Sequence, residues 1–317
     1  MSRAYSEPLA PERASQSGQP VALADSYRHC RALTARHGRS YHLATRLLPA
    51  ERRPAVLALY GFARTVDDLV DHPADPATTA AQLDVVERDL ALAFDVNGAA
   101  PRAYASVAAP VLPALADTAR RYRIPPEHFA AFLTSMRMDV PGPQHRSRYR
   151  TMAELREYTY GSAAVIGAQL LPILGTVGPR SDAEPAAAAL GEAFQLTNFL
   201  RDVGEDLDRD RIYLPAADLA AFGVDEPLLR YCRRTGRPDQ RVRRALAHLI
   251  AANRAVYRTA EPGIALLTPA VRPGIRAAHA LYRAILDRIE DSGYAVFDRR
   301  LAVPRLRRAA LVAAALV

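Results

Sequence analysis

Two carboxylate-rich segments combine residue types and spacings that could do chemistry. The first is Arg64-Thr65-Val66-Asp67-Asp68-Leu69-Val70-Asp71, at the end of an otherwise apolar stretch. Asp67 and Asp71 are four residues apart, so on a helix they share one face with Cβ atoms about 6 Å apart. Like charges at that spacing destabilise a helix by about 0.2–0.5 kcal/mol. A cation must neutralise them or solvent must screen them. Alone, this segment reads equally well as a solvated acidic helix end.

The second segment runs from Gln195 to Asp206. Gln195, Asn198, Asp202 and Asp206 fall at i, i+3, i+7 and i+11, one narrow stripe on a helix. Phe194, Leu196, Phe199, Leu200 and Val203 surround that stripe, and a helix that is mostly apolar is usually buried. Amides and carboxylates would then lie inside the protein, where a carboxylate needs a cation or a shifted pKa. Two D-x-x-x-D pairs facing one cavity would make an oxygen-rich site suited to Mg²⁺. That ion prefers carboxylates, waters and substrate phosphates in octahedral geometry. The expected metal ligands are Asp67, Asp71, Asn198, Asp202 and Asp206.

Other chemistries fail on spacing. Asp206-Leu207-Asp208-Arg209-Asp210 begins like a calcium loop, but Arg211 replaces the glycine at position six and Ala217 the glutamate at twelve. The eight histidines show no H-E-x-x-H spacing. Neither G-x-x-x-x-G-K nor G-x-G-x-x-G is present, which excludes the usual nucleotide cradles, and G-x-S-x-G is missing as well. Cys30 and Cys232 make no metal or disulfide pattern and fit a reducing cytosol.

The elements that must position these residues are helical nearly everywhere from Asp25 onward. Glu51–Asp71 carries apolar residues at Val56, Leu57, Tyr60, Ala63, Val66, Leu69 and Val70, close to a 3.6 period, with Pro54 in its first turn. Further helical patterns cover Thr79–Phe94, Ala105–Tyr122, Pro126–Asp139, Ala153–Leu174, Glu184–Leu207, Gln240–Thr259 and Arg272–Ser292. Pro and Gly clusters at His72, Arg123, Val140 and Val177 punctuate them. Strand-like alternation with hairpin turns is missing, and no solenoid repeat is found. An all-α fold in one domain over residues 25–317 is expected, preceded by a disordered tail over 1–24 without the apolar core of a signal peptide.

Half of the 317 residues are hydrophobic, enough to bury a sizeable core, and the net charge is +8. All 42 cations are arginine, which fits GC-rich codon usage together with the 24 prolines. A basic surface for nucleic acid is the competing reading. No apolar stretch reaches the ~20 residues of a membrane span. A cytoplasmic protein is expected, although an apolar substrate or product could bring it to the inner face of the membrane.

Beyond spacing, the segments themselves resemble a known family. Asp67-Asp68-Leu69-Val70-Asp71 after Phe62-Ala63-Arg64, and QLTNFLRDVGEDLDRDRIYLP from Gln195 to Pro215, are similar to the squalene/phytoene synthase family. Supporting segments are Ser40–Arg64, Met136–Val140, Tyr158–Gly167 and Leu281–Arg300, so the resemblance spans nearly everything after about residue 25. MRMD, GSAAVIG and DVGED look most like the bacterial phytoene-forming members. The resemblance implies an isoprenoid-synthase-type bundle of helices around a central cavity, with two D-x-x-x-D motifs holding Mg²⁺, or Mn²⁺ in its place, on two prenyl diphosphates. It also implies head-to-head condensation of two geranylgeranyl diphosphates to phytoene through prephytoene diphosphate, without NADPH.

Carried over residue by residue, Asp67, Asp71, Asp202 and Asp206 match the metal aspartates, and Gln195 and Asn198 the amides beside them. Arg64, Arg201 and Arg299 are candidate diphosphate donors, the first two competing with helix salt bridges to Asp68 and Glu205. Arg39 and Ser40 match a segment near the diphosphates. Tyr60, Tyr158, Tyr213 and Tyr282 match tyrosines lining the pocket, where a ring face could stabilise a carbocation. Ser162 and Ala163, with Val165 and Ile166, are expected to shape the prenyl tunnel. Thr65, Val66 and the Pro/Gly turn after MRMDV depart from the family pattern and bear on specificity.

The rival readings share or lack this site. Dehydrosqualene or squalene formation from farnesyl diphosphate would use the same carboxylates, squalene formation adding NADPH. Head-to-tail prenyl synthases and terpene cyclases have second motifs unlike RDVGED. A non-catalytic arginine-rich nucleic-acid binder would show strongly salt-dependent affinity and has no use for the Gln/Asn/Asp stripe.

Overall fold

Helical periodicity becomes fourteen α-helices among the described residues of the computed structural model, which are 21–37, 39–71, 75–95 and 103–316, the side chains of 37 and 39–41 excepted. Helices α1 (Leu23–His37), α2 (Arg39–Thr45), α3 (Arg53–Asp71) and α4 (Pro76–Phe94) come first. They are followed by α5 (Leu112–Tyr122), α6 (Pro126–Met138), α7 (Met152–Thr159) and α8 (Val165–Leu174), the last two joined by a π-helical turn, Tyr160–Ala164. Next come α9 (Arg180–Asp208), α10 (Ala216–Ala220), α11 (Glu226–Thr235), α12 (Gln240–Ala260), α13 (Arg272–Asp291) and α14 (Arg305–Ala314). No strand occurs among the described residues, only two isolated bridges. No described helix is long and apolar enough to cross a membrane. The segment expected as a tail lies outside the described residues up to 20, and α1 begins at Leu23.

Local chemistry sets the helix boundaries. Asp75 accepts from Thr78 N at 2.9 Å to cap α4, Thr151 from Glu154 N at 3.2 Å to cap α7, and Asp225 from Leu228 N at 3.0 Å to cap α11. Each carboxylate or hydroxyl satisfies an amide that the helix leaves without a partner. Two expected helices differ in the structure. The pattern at Ala105–Tyr122 becomes helical only from Leu112, because Pro110 and Pro113 lack the amides an earlier helix would need. Asp89 instead holds that loop, accepting from Ala105 N at 2.8 Å and Ser106 N at 2.7 Å.

The pattern at Ala153–Leu174 is interrupted by the π turn. Gly161 in that turn lies so close to α6 that a Cβ would sit 2.1 Å from the Ala131 carbonyl oxygen. Gly191 on α9 meets the Ala163 carbonyl in the same way, at 2.3 Å. These two glycines let α6, the π turn and α9 approach backbone to backbone. The widened turn is the adjustment that keeps both contacts.

Helix α9, at 29 residues about 43 Å long, is the axis of the molecule. It packs against α8, α12 and α13, and its inner positions Ala193, Leu196, Phe199, Leu200, Val203 and Leu207 are buried. Thr197 pins it to α12: its Oγ1 lies 2.8 Å from Tyr257 Oη and accepts from Asn253 Nδ2 at 2.9 Å. Thr197→Val removes the shared partner of two buried polar groups. It should lower the unfolding free energy by about 2 kcal/mol in a urea titration, whereas an unchanged midpoint would mean that the pair finds other partners.

Candidate active site

The last two turns of α3 bring Asp67 and Asp71 to one end of the bundle, and the C-terminal turns of α9 bring Asp202 and Asp206 to face them. The facing is electrical as well as spatial, since the charges of both Asp202 and Asp71 act on Asp206. Carboxylates from the two helices thus lie close enough for Asp71 on α3 to act on Asp206 on α9. Neither pair is a fully solvated helix end. Side-chain exposure is 27% at Asp71 and 15% at Asp202.

The four carboxylates differ in surroundings. Burial first, and then the neighbouring Asp71, push Asp67 up to about 7. Burial, and then Asp202, raise Asp206 well above the usual carboxylate range. Neither receives a hydrogen bond from any described residue. Asp202 is also buried, which works against its charge, but hydrogen bonds and charge from Arg201 and Arg300 outweigh burial and hold it below the usual range. Arg201 donates Nε and Nη2 to Asp202 at 2.7 and 2.5 Å, and Arg300 reaches the same carboxylate at 3.1 Å. Asp202, and Asp71 through Arg211, are thus already paired with arginine, and Asp67 and Asp206 are half-buried without a side-chain donor.

The remaining candidates differ in where the structure places them. Arg64 forks onto Asp68, with Nε at 3.1 Å, so the helix salt bridge forms while its charge still acts on Asp67. Arg201 pairs with Asp202 rather than with Glu205. Asn198 Nδ2 donates to Gln195 Oε1 at 3.3 Å, keeping the amide stripe together. Arg299 is exposed, and its neighbour Arg300 makes the contact to Asp202. The side chains of Arg39 and Ser40 lie outside the described residues.

The candidate tyrosines belong to aromatic clusters. Tyr158 and Tyr213 are buried and stack in one cluster with Phe199, the Phe199 and Tyr213 rings 4.1 Å apart. Tyr282 stacks on Phe194 at 4.1 Å. Burial pushes Tyr60 up to about 12, so this phenol stays neutral across ordinary pH.

Phe194 also lines an apolar cavity of ≈ 140 Å³ between α2, α8, α9 and α13, which runs away from the carboxylates past Leu190, Ala187 and Ala183. Of the residues expected to shape a tunnel, Ile166 lines this cavity. Ser162, Ala163 and Val165 do not, because the π turn directs Ala163 and Val165 into the core. The Ser162 Oγ is buried without a partner.

Asp139 and Arg211 were not among the candidates. Asp139 accepts from Tyr158 Oη at 2.6 Å and from Tyr213 Oη at 2.7 Å. Arg211 donates Nη1 to Asp71 at 2.8 Å. Their signals were present in the sequence: an acid ending an apolar helix, and the arginine of the R-x-Y-L-P run. Nothing in the spacing shows that 72 residues of chain separate two groups that meet.

Among the described residues no three His, Cys, Asp or Glu side chains converge on one point. The donor set nevertheless suits a hard divalent cation, with the half-buried carboxylates of Asp67 and Asp206 unmatched by any donor. Such a cation completes its shell with waters and phosphate oxygens.

A family model described as squalene/phytoene synthase matches residues 34–307. The chain is 37% identical over 300 residues to a phytoene synthase of Arthrospira platensis, covering 91% of this chain and 92% of that one. It is 36% identical over 311 residues to a 15-cis-phytoene synthase of Synechococcus elongatus, covering 95% and 94%. The crystal structure of a dehydrosqualene synthase superposes with a TM-score of 0.80 at 28% identity, covering 93% of this chain and 96% of that one.

Proposed function

Because the chain belongs to the squalene/phytoene synthase family, we propose that it condenses two molecules of geranylgeranyl diphosphate head to head into phytoene. The observation that carries this reading is that acidic pairs from α3 and α9 act on one another electrostatically, while α9 also lines an apolar cavity. Relatives aligned over nine-tenths of the chain and called phytoene synthases favour the C20 substrate over farnesyl diphosphate.

Asp67, Asp71, Asn198, Asp202 and Asp206 would hold Mg²⁺. Bound there, the ion neutralises the charge that builds on a departing diphosphate. The chain's own residues do the rest. Arg201 and Arg300, now paired with Asp202, and Arg64, paired with Asp68, would turn planar donors from these carboxylates to phosphate oxygens and make departure favourable.

The C–O bond of one substrate then breaks, and its allylic carbon is attacked by the double bond of the other. Loss of a proton gives the cyclopropyl diphosphate. A second ionisation, rearrangement and proton loss give the hydrocarbon. Each cation must be kept from water. Phe194, Phe199, Tyr213 and Tyr282 offer ring faces without a nucleophile, and the neutral phenols of Tyr60 and Tyr158 stay protonated.

The test is direct. Incubation with Mg²⁺ and geranylgeranyl diphosphate should yield phytoene, with farnesyl diphosphate tried in parallel with and without NADPH. Faster consumption of farnesyl diphosphate would move the protein to the squalene-forming side of the family. Consumption of neither would end the reading.

A further inference from the structure

Behind the first acidic motif lies a buried relay that does not itself face the cavity. Asp139, at the end of α6, has a side chain only 3% exposed, and both its carboxylate oxygens are taken, Oδ2 by Tyr158 and Oδ1 by Tyr213. It has no oxygen free for a ligand. Arg211, 9% exposed, spans the gap to α3. Its Nη1 donates to Asp71 Oδ1 at 2.8 Å, and its Nη2 donates to the Val70 carbonyl at 2.9 Å and the Asp139 carbonyl at 3.2 Å. Its Nε lies 3.9 Å from Asp139 Oδ1. The arginine is itself anchored, since Ile212 N donates to Ser147 O at 2.9 Å. One guanidinium therefore ties the last turn of α3, the end of α6 and the segment after α9 at a single point.

Burying such a group costs free energy unless its geometry is used. The residue it reaches is Asp71, and the residues Asp139 reaches are two of an aromatic cluster. We propose that Asp139 is a positioning residue that acts through Arg211 to orient Asp71 and through two phenol hydrogen bonds to orient Tyr158 and Tyr213. This rests on the reading of Asp71 as a metal ligand. Partners at that distance from a metal typically change its affinity or the activity by about 10–100-fold when removed.

The experiment compares Asp139→Asn, Arg211→Met, Arg211→Lys and the double variant Asp139→Asn/Arg211→Met. Mn²⁺ binding is followed by electron paramagnetic resonance without prenyl substrate, and kcat and KM are followed with geranylgeranyl diphosphate. Asp139→Asn should weaken Mn²⁺ binding about tenfold and lower kcat by a similar factor, with KM shifted far less. Arg211→Met should do the same, and the double variant should bind Mn²⁺ no more weakly than Arg211→Met alone. Arg211→Lys keeps the charge and loses the fork, and should not recover the affinity.

Multiplying losses in the double variant, or full recovery by lysine, would overturn the relay. So would unchanged Mn²⁺ affinity in the single variants. If Asp139→Asn fails to fold, Asp139→Glu takes its place in both the single and the double variant under the same criteria. Mn²⁺ binding that depends on the relay in a protein that leaves geranylgeranyl diphosphate intact would overturn the reaction and not the relay.

Discussion

Asp67→Asn should lower turnover by about 10³ and at the same time raise the melting temperature in chelator at pH 8 by about 4 °C. The loss of turnover follows from removing one of two half-buried carboxylates that have no donor of their own and would face the cation. The gain in stability follows from the same burial. With its carboxyl pushed up to about 7, against about 4 in an unfolded chain, the folded protein keeps a proton that the unfolded chain has released. Stability therefore falls as pH rises between those two values, and the full penalty is present above about 7. Discounted for partial solvent contact, it is about 2 kcal/mol at pH 8.

The amide mimics the protonated acid, so the difference in melting temperature should close by about pH 4. Equal melting at pH 8 would show that Asp67 carries no strain, and retained turnover would remove it from the site. Asp202 has the opposite sign, because Arg201 and Arg300 favour its charge, and Asp202→Asn should destabilise the protein at neutral pH.

Ala187→Phe should change which chain length is accepted. Ala187 lies fifteen residues before Asp202 on α9, about 22 Å along the helix axis, and its side chain lines the apolar cavity. A phenyl ring there would fill the cavity beyond its middle and leave the part near Phe194 open. Turnover of geranylgeranyl diphosphate should fall about 100-fold, while that of farnesyl diphosphate should change by less than about tenfold. Overpacking costs about 1–3 kcal/mol of stability. A competition assay with both substrates reads the ratio. An unchanged ratio would show that the prenyl chains do not run along α9.

All of the cationic side chains are arginine, and what matters is which of them meet acids. Arg64 beside Asp68 was legible, because side chains four apart on a helix must meet. Arg201 with Asp202 was not, because its choice between Asp202 and Glu205 depends on which face of α9 is buried. Arg300 on Asp202 crosses 98 residues, a distance no spacing rule spans. The π turn at Tyr160–Ala164 was invisible for a related reason. It answers two backbone contacts to α6 and α9, and the pattern of apolar residues through it is that of an ordinary helix.

By itself, the sequence determined the helical class, the two acidic motifs and the amide stripe beside them. Those features depend on neighbours within a few turns of one helix, where geometry is the same in every protein. Only the tertiary structure decided that Asp67 and Asp206 are half-buried without donors while Asp71 and Asp202 are held by arginine. It alone placed Asp139 behind the site and ran the cavity along α9. Those outcomes depend on burial and on partners far away in the chain, and the balance of burial against arginine partners, which differs between Asp67 and Asp202, sets the charge of each carboxylate.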